Sequence, residues 1–260
     1  MNSVNSINKG DILLLDELAD YNSSLLQTGL FRDYCPNGVQ VEGRAQVRRI
    51  ATGVTASQHV LDAAIAWGAD AILVHHGYFW RNEEATIVGI KKRRIAQLLR
   101  SDVSLLAYHL PLDAHPELGN NAQLGKLLGL VEQGRFGEQN LVWLGALMQS
   151  GTLAQFTRQI ADILQRTPQV IGDGSKSISK VAWCSGGAQG YFEAAIAQGA
   201  DAYITGEISE QNFHLANETG VAFIAAGHHA TERYGIQALG EHLAKRFGLE
   251  HRFFDQDNPV

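Results

Sequence analysis

Six of the ten histidines cluster in or beside three short segments of the 260-residue chain. His75 and His76 lie in AILVHHG (71–77), His109 and His115 in or just after LLAYHLPLD (105–113), and His228 and His229 in FIAAGHHATE (223–232). Asp113 and Glu232 close the last two segments. Each segment is an apolar run followed at its carboxyl end by imidazole and carboxylate groups, donors that suit Zn, Mn, Fe or Ni without choosing among them. In open α/β sheets ligands gather at the carboxyl ends of strands, so residues distant in sequence can converge there. A lone histidine is ordinarily a hydrogen-bonded core or surface group, which is the reading for His59, His214, His242 and His251. Three such strand ends together point to a metal centre.

Ligand chemistry narrows the arrangement. Neighbours on a strand point to opposite faces, so His75 and His76 are more easily assigned to two ions than to one. His228 and Glu232 stand at i and i+4 and share a helix face, whereas His229 is turned about 100° away, so His228 is the expected ligand. Asp113 follows the Pro111 turn. Five ligands (His75, His76, Asp113, His228, Glu232) on one zinc-like ion would leave no open position, while two ions sharing a bridging carboxylate leave several. The expectation is a dinuclear site.

Weaker signals surround it. His109 is a candidate proton carrier or an orienting partner of a ligand, with a structural hydrogen bond as the competing role. Glu207, in TGE (205–207), is a second candidate catalytic group, with helix capping as its alternative. GNNAQLG (119–125) reads as a cap, with contact to a polar substrate as its alternative, SGG (185–187) as a poor phosphate cradle, and KKRR (91–94) as a solvated helix face, with a polyanion patch as its alternative.

The elements that must position these groups alternate strand and helix, which predicts an α/β fold with mainly parallel sheets and flanking helices. An amphipathic helix is expected over 11–28, followed by strands at 48–54, 70–74 and 103–108 with helices between them. The second half repeats the first: FEAAIAQGADAYIT (192–205) aligns with LDAAIAWGADAILV (61–74) at an offset of 131, with eight identities in 14 positions. The same offset places Glu207 opposite His76. Two similar α/β lobes from an internal duplication are expected. Residues 1–125 plus 227–260 would form the first lobe, with most of the ligands, and 126–226 the second. The glycine-containing stretch 126–150 reads as the crossing between lobes, and the final helix (232–247) and strand (251–255) as a return to the first.

Composition bounds the rest. A net charge of −6 argues against a general nucleic-acid or anionic-membrane binder. The N-terminus MNSVNSINKG lacks the basic and apolar regions of a signal peptide, and no apolar run approaches the roughly 18 to 20 residues that cross a bilayer. Two cysteines, Cys35 and Cys184, make no disulfide framework. A cytoplasmic protein is expected.

Taken with PNGVQVEG, TGVTAS, GADAILVHHGYFW, HLPLDAHPELGNNAQL, ITGEISEQ and AAGHHATER, the chain resembles the Nif-three-like family, homologues of GTP cyclohydrolase I type 2, over nearly its whole length and in its bacterial form. The resemblance implies two divalent ions held by the residues matching His75, His76, Asp113, His228 and Glu232, with Glu232 as bridge, and a toroidal homohexamer. It further implies either a metal-dependent hydrolase acting on a nucleotide or pterin-related small molecule such as GTP, or a non-catalytic metal-binding or adaptor protein.

Overall fold

The computed structural model describes residues 12–260, and the polar segment read above as no signal peptide lies outside the described residues. In chain order the elements are β1 (Leu13–Leu14), α1 (Leu15–Leu26), β2 (Gly38–Val41), β3 (Gln46–Val47), β4 (Arg49–Thr55), α2 (Gln58–Trp67), β5 (Ala71–His76), α3 (Gly89–Ser101), β6 (Ser104–Ala107) and α4 (Leu110–Ala114). There follow α5 (Asn120–Leu127), β7 (Leu130–Phe136), β8 (Val142–Thr152), α6 (Leu153–Leu164), β9 (Gln169–Ile171) and β10 (Ser177–Trp183). The chain closes with α7 (Phe192–Ala197), β11 (Ala202–Thr205), α8 (Glu210–Thr219), β12 (Ala222–Ala225), α9 (His228–Phe247) and β13 (Glu250–Phe253).

Two compact units result. The first takes the chain up to Leu112 and Ile236–Gln256; the second takes Asp113–Gly235 and Asp257–Val260. The sequence reading set the divisions at 125/126 and 226/227, and the difference has a packing cause. Leu124 and Leu128 are buried with Trp143 and Trp183 in the second core, and Tyr234 packs against that core. Both stretches therefore go with the second unit.

The first unit's main sheet has the order β13-β4-β5-β6-β2, parallel except for β2. Its core gathers Leu61, Ala64, Ile72, Val74, Leu98 and Leu105. The second unit's sheet has the order β7-β8-β10-β11-β12-β9. Its centre, β10-β11-β12, is parallel, while β7, β8 and β9 pair antiparallel. The expected mainly parallel pairing thus describes the first sheet and only the middle of the second. The cause lies in 126–150: rather than a bare crossing it forms β7 and β8, and strands joined by so short a connection pair antiparallel. Among the described residues no helix is long and apolar enough to cross a membrane.

The two units share a plan. The order β4-β5-β6-β2 in one matches β10-β11-β12-β9 in the other, and a helix, α1 or α6, precedes the last-named strand in the chain. A carboxylate repeats at the same place. Asp70 Oδ2 accepts the backbone N–H groups of Arg48 and Arg49 at 2.8 and 2.9 Å, and Asp201 Oδ2 accepts those of Ser179 and Lys180 at 3.0 and 2.9 Å. Gly68 and Gly199, which precede them by two residues, both take positive φ (82° and 72°), a turn that costs glycine least. This correspondence is consistent with an internal duplication.

Candidate metal centre

In the first unit β5 carries His75 and His76 to its carboxyl end. His75 is buried, and its Nδ1 lies 2.9 Å from the Tyr108 carbonyl. A carbonyl only accepts, so Nδ1 carries the proton and Nε2 is the nitrogen with a lone pair to give a metal. His76 Nδ1 lies 3.2 Å from Thr55 Oγ1. Alternation along the strand separates Cβ atoms but not ring tips: the two ring centroids are 4.5 Å apart, and that of His109 lies 5.1 and 5.7 Å from them. One ring nitrogen of each of His75, His76 and His109 lies within 4.8 Å of the others.

Behind His109 stands Asp33, which sequence reasoning missed. Its Oδ1 is 2.6 Å from His109 Nδ1, and its Oδ2 accepts the Leu110 N–H at 3.0 Å and Asn37 Nδ2 at 2.8 Å. Burial pushes the Asp33 carboxyl up, but hydrogen bonds from His109, Asn37 and the Tyr34 N–H outweigh it and hold the group below the usual carboxylate range. The Trp80 ring meets His109 edge-on at 5.0 Å. Cys35 also neighbours Asp33 and His109. Its thiol is pushed up to about 12 by burial and by the Asp33 charge, so it stays protonated at neutral pH and offers no thiolate.

In the second unit His228 opens α9, and its Nε2 lies 3.3 Å from Glu232 Oε2, as the i, i+4 spacing requires. His228 Nδ1 is 2.7 Å from Glu207 Oε1. Burial pulls the His228 pKa down, yet hydrogen bonds and charge from Glu232 and then Glu207 prevail and raise it to about 9. Glu207 is thus no helix cap, since Ser209 and Asn212 form the capping box of α8. Its Oε2 accepts Gln189 Nε2 at 3.2 Å. His229 is buried and its N–H donates to the Val260 carbonyl at 3.1 Å.

Asp113 is buried, and its Oδ1 accepts Asn120 Nδ2 at 2.8 Å and Ser185 Oγ at 3.2 Å. The two asparagines of GNNAQLG do not cap their helix. Asn120 fixes Asp113 and also accepts the Gly235 N–H, while Asn121 ties the Asp113 carbonyl to the Ser185 N–H. SGG is likewise not a phosphate cradle, because the Ser185 and Gly186 N–H groups are taken by Asn121 and Thr231. Gly186 has another task. It takes φ +67°, and a Cβ there would collide with Glu232 Oε1 and approach His228 Nε2 to 3.1 Å, so glycine is what lets those side chains sit as they do.

Residues 13–259 match the family Duf34/NIF3 (NGG1p interacting factor 3). The chain belongs to the Duf34/NIF3 family. It is 56% identical over 249 residues to a "GTP cyclohydrolase 1 type 2 homolog" of Neisseria meningitidis serogroup B, covering 96% of this chain and 100% of that one. A protein of the same description from Pseudomonas aeruginosa is 54% identical over 251 residues, covering 95% and 99%. Among solved structures, protein ybgI, described as of unknown function, superposes with a TM-score of 0.93 at 48% identity, covering 95% of this chain and 100% of that one. Thermus thermophilus TTHA1606 superposes with a TM-score of 0.87 at 34% identity, covering 95% and 100%. In this Duf34/NIF3 chain the donors are chemically suited to divalent ions. They are imidazoles and carboxylates with the protonated Cys35 thiol beside His109, His75 is fixed as the Nδ1–H tautomer, and glycine keeps the Glu232 oxygen clear.

Proposed function

We propose that this Duf34/NIF3 protein holds two divalent ions, Zn, Mn, Fe or Ni, through His75, His76, Asp113, His228 and Glu232, with Glu232 bridging. We further propose that it hydrolyses a nucleotide or related small molecule. The observation that carries this reading is that the ligand groups are oriented in advance: His75 by the Tyr108 carbonyl, Asp113 by Asn120 and Ser185, His228 by Glu207. The description "GTP cyclohydrolase 1 type 2 homolog" of its relatives supports the substrate class.

When bound, the ions would supply charge to polarise a carbonyl- or imine-like group and to acidify water. The chain's own residues complete the step. His109 accepts a proton from the attacking water as its oxygen adds to the electrophilic carbon, and later returns that proton to the leaving nitrogen or oxygen. Glu207 is the second proposed proton carrier, in competition with its bond to His228. The assembly is proposed to be a toroidal homohexamer, as the resemblance implies, and its location the cytoplasm. Light scattering giving a mass near the 28.3 kDa monomer at micromolar concentration would refute the hexamer.

The test is metal analysis followed by a turnover screen over nucleotides and cyclic amidines. Two ions per subunit are expected in the wild type and in His229→Ala, with both weakened in Glu232→Ala. His75→Ala is expected to lose turnover. Retained metal with no turnover across the screen would favour the non-catalytic metal-binding or adaptor reading. Full occupancy in Glu232→Ala would refute the bridge.

A further inference from the structure

The Asp33 side chain is only 4% exposed, and four donors converge on it. His109 Nδ1 and the Tyr34 N–H meet Oδ1 at 2.6 Å each; Asn37 Nδ2 and the Leu110 N–H meet Oδ2 at 2.8 and 3.0 Å. Asn37 in turn accepts the His109 N–H through Oδ1 at 2.8 Å, so ring and backbone of His109 are fixed from one place. Arg81 donates to the Asp33 carbonyl at 2.8 Å and lies over the Tyr34 ring, which ties the loop bearing Trp80 to the same point.

We propose that Asp33 is a positioning residue that sets the tautomer of His109, leaving Nε2 as the nitrogen that exchanges a proton with substrate or water. Three N–H donors other than the ring, from Tyr34, Asn37 and Leu110, already hold the Asp33 carboxylate as an acceptor, so His109 Nδ1 must donate to it. A neutral imidazole with its proton on Nδ1 carries its lone pair on Nε2. The same ring stands 5.1 Å from His75 and 5.7 Å from His76, centroid to centroid, so it belongs to the histidine cluster and not to a distant surface. The competing role is a plain structural clamp joining residues 33–37 to the start of α4.

The proposal rests on the hydrolytic reading for its use, but its first readout does not need turnover. Nitrogen-15 NMR of histidine-labelled, zinc-loaded protein is expected to show His109 protonated on Nδ1. In Asp33→Asn the amide oxygen can serve the Leu110 and Asn37 side while the amide NH2 faces the ring, so the proton is expected to move to Nε2. Asn37→Ala removes part of the clamp but leaves the carboxylate and is expected to keep the Nδ1–H form. Metal per subunit is expected to stay unchanged in Asp33→Asn and in His109→Ala. On any substrate found in the screen, kcat of Asp33→Asn should fall about 10²- to 10⁴-fold with KM little changed.

A wild-type ring protonated on Nε2, or Asp33→Asn retaining Nδ1–H, would overturn the inference while leaving the hydrolase reading intact. Loss of metal in His109→Ala would also overturn it, by making His109 a ligand. A wild type without turnover on any substrate would remove the hydrolytic reading, and with it the catalytic use of Asp33, whatever the tautomer.

Discussion

The two units lay the same parallel three-strand core and end its middle strand differently. In the first, β5 finishes on His75 and His76; in the second, β11 stops at Thr205 and the corresponding positions are Gly206 and Glu207. A Cβ at Gly206 would lie 2.5 Å from the His228 Cα, so no side chain fits where His75 has its imidazole. Glu207, in the place of His76, turns its carboxylate to His228 instead of offering an imidazole. A common scaffold therefore supplies candidate ligands at one copy of the strand end and the support of a candidate ligand at the other. The scaffold's own device, an aspartate accepting two backbone N–H groups of the preceding strand, is kept in both.

The largest effect expected from testing this comparison is at Gly186. Gly186→Ala forces a side chain into positive φ and against Glu232, which should cost about 1–3 kcal/mol and lower metal content. Gly134→Ala is the control, since nothing lies within 4 Å of its Cβ. Urea unfolding with elemental analysis decides; equal behaviour of the two variants would show that the second unit's site does not depend on that bare backbone.

Next come the repeated aspartates. Asp70→Ala and Asp201→Ala each strip the acceptor from two backbone N–H groups, for about 1–3 kcal/mol by urea unfolding. Asp70→Ala should be the costlier, because it also ends the 3.0 Å pair with Arg44. A negligible loss in either would break the structural equivalence of the two units.

The smallest effect is in pH dependence, where the units should differ in sign. His228 in the second has its pKa raised to about 9, so in metal-free protein its contribution is complete below about 6.5 and is lost as pH rises through about 9. His251 in the first is pulled below 6.5 by burial against a small opposing charge from Glu241, so its contribution is complete above 6.5 and is lost as pH falls below that value. Stability against pH for His228→Gln and His251→Gln should lose these opposite slopes. Equal slopes would mean that Glu207 and Glu232 do not govern His228.

Much of this was legible in the residues. The i, i+4 spacing anticipated the contact of His228 with Glu232, and the offset of 131 anticipated the shared strand order and the correspondence of Glu207 with His76. Asp33 was not legible, because FRDYCPNG has no periodicity and its partner His109 is 76 positions away. Asn120 and Asn121 looked like caps because asparagine at a helix start usually is one; only the fold brings Asp113 and Ser185 to them. The glycines of 126–150 suggested a linker. Gly145 is instead glycine because β8 passes so close to β7 that a Cβ would collide with the Val131 carbonyl.

One edge of the first sheet is β13, which pairs with β4 through Glu250–Phe253 against Arg49–Thr52. During synthesis at roughly 5–20 residues per second, β4 would leave the ribosome about 10 to 40 s before the strand that covers its edge. All six strands of the second sheet lie between Leu130 and Ala225 and emerge in one continuous stretch. The later-made unit can thus finish its sheet while the earlier-made one waits with a bare edge. That interval is when the nascent chain is most open to pairing with a neighbour on the same message.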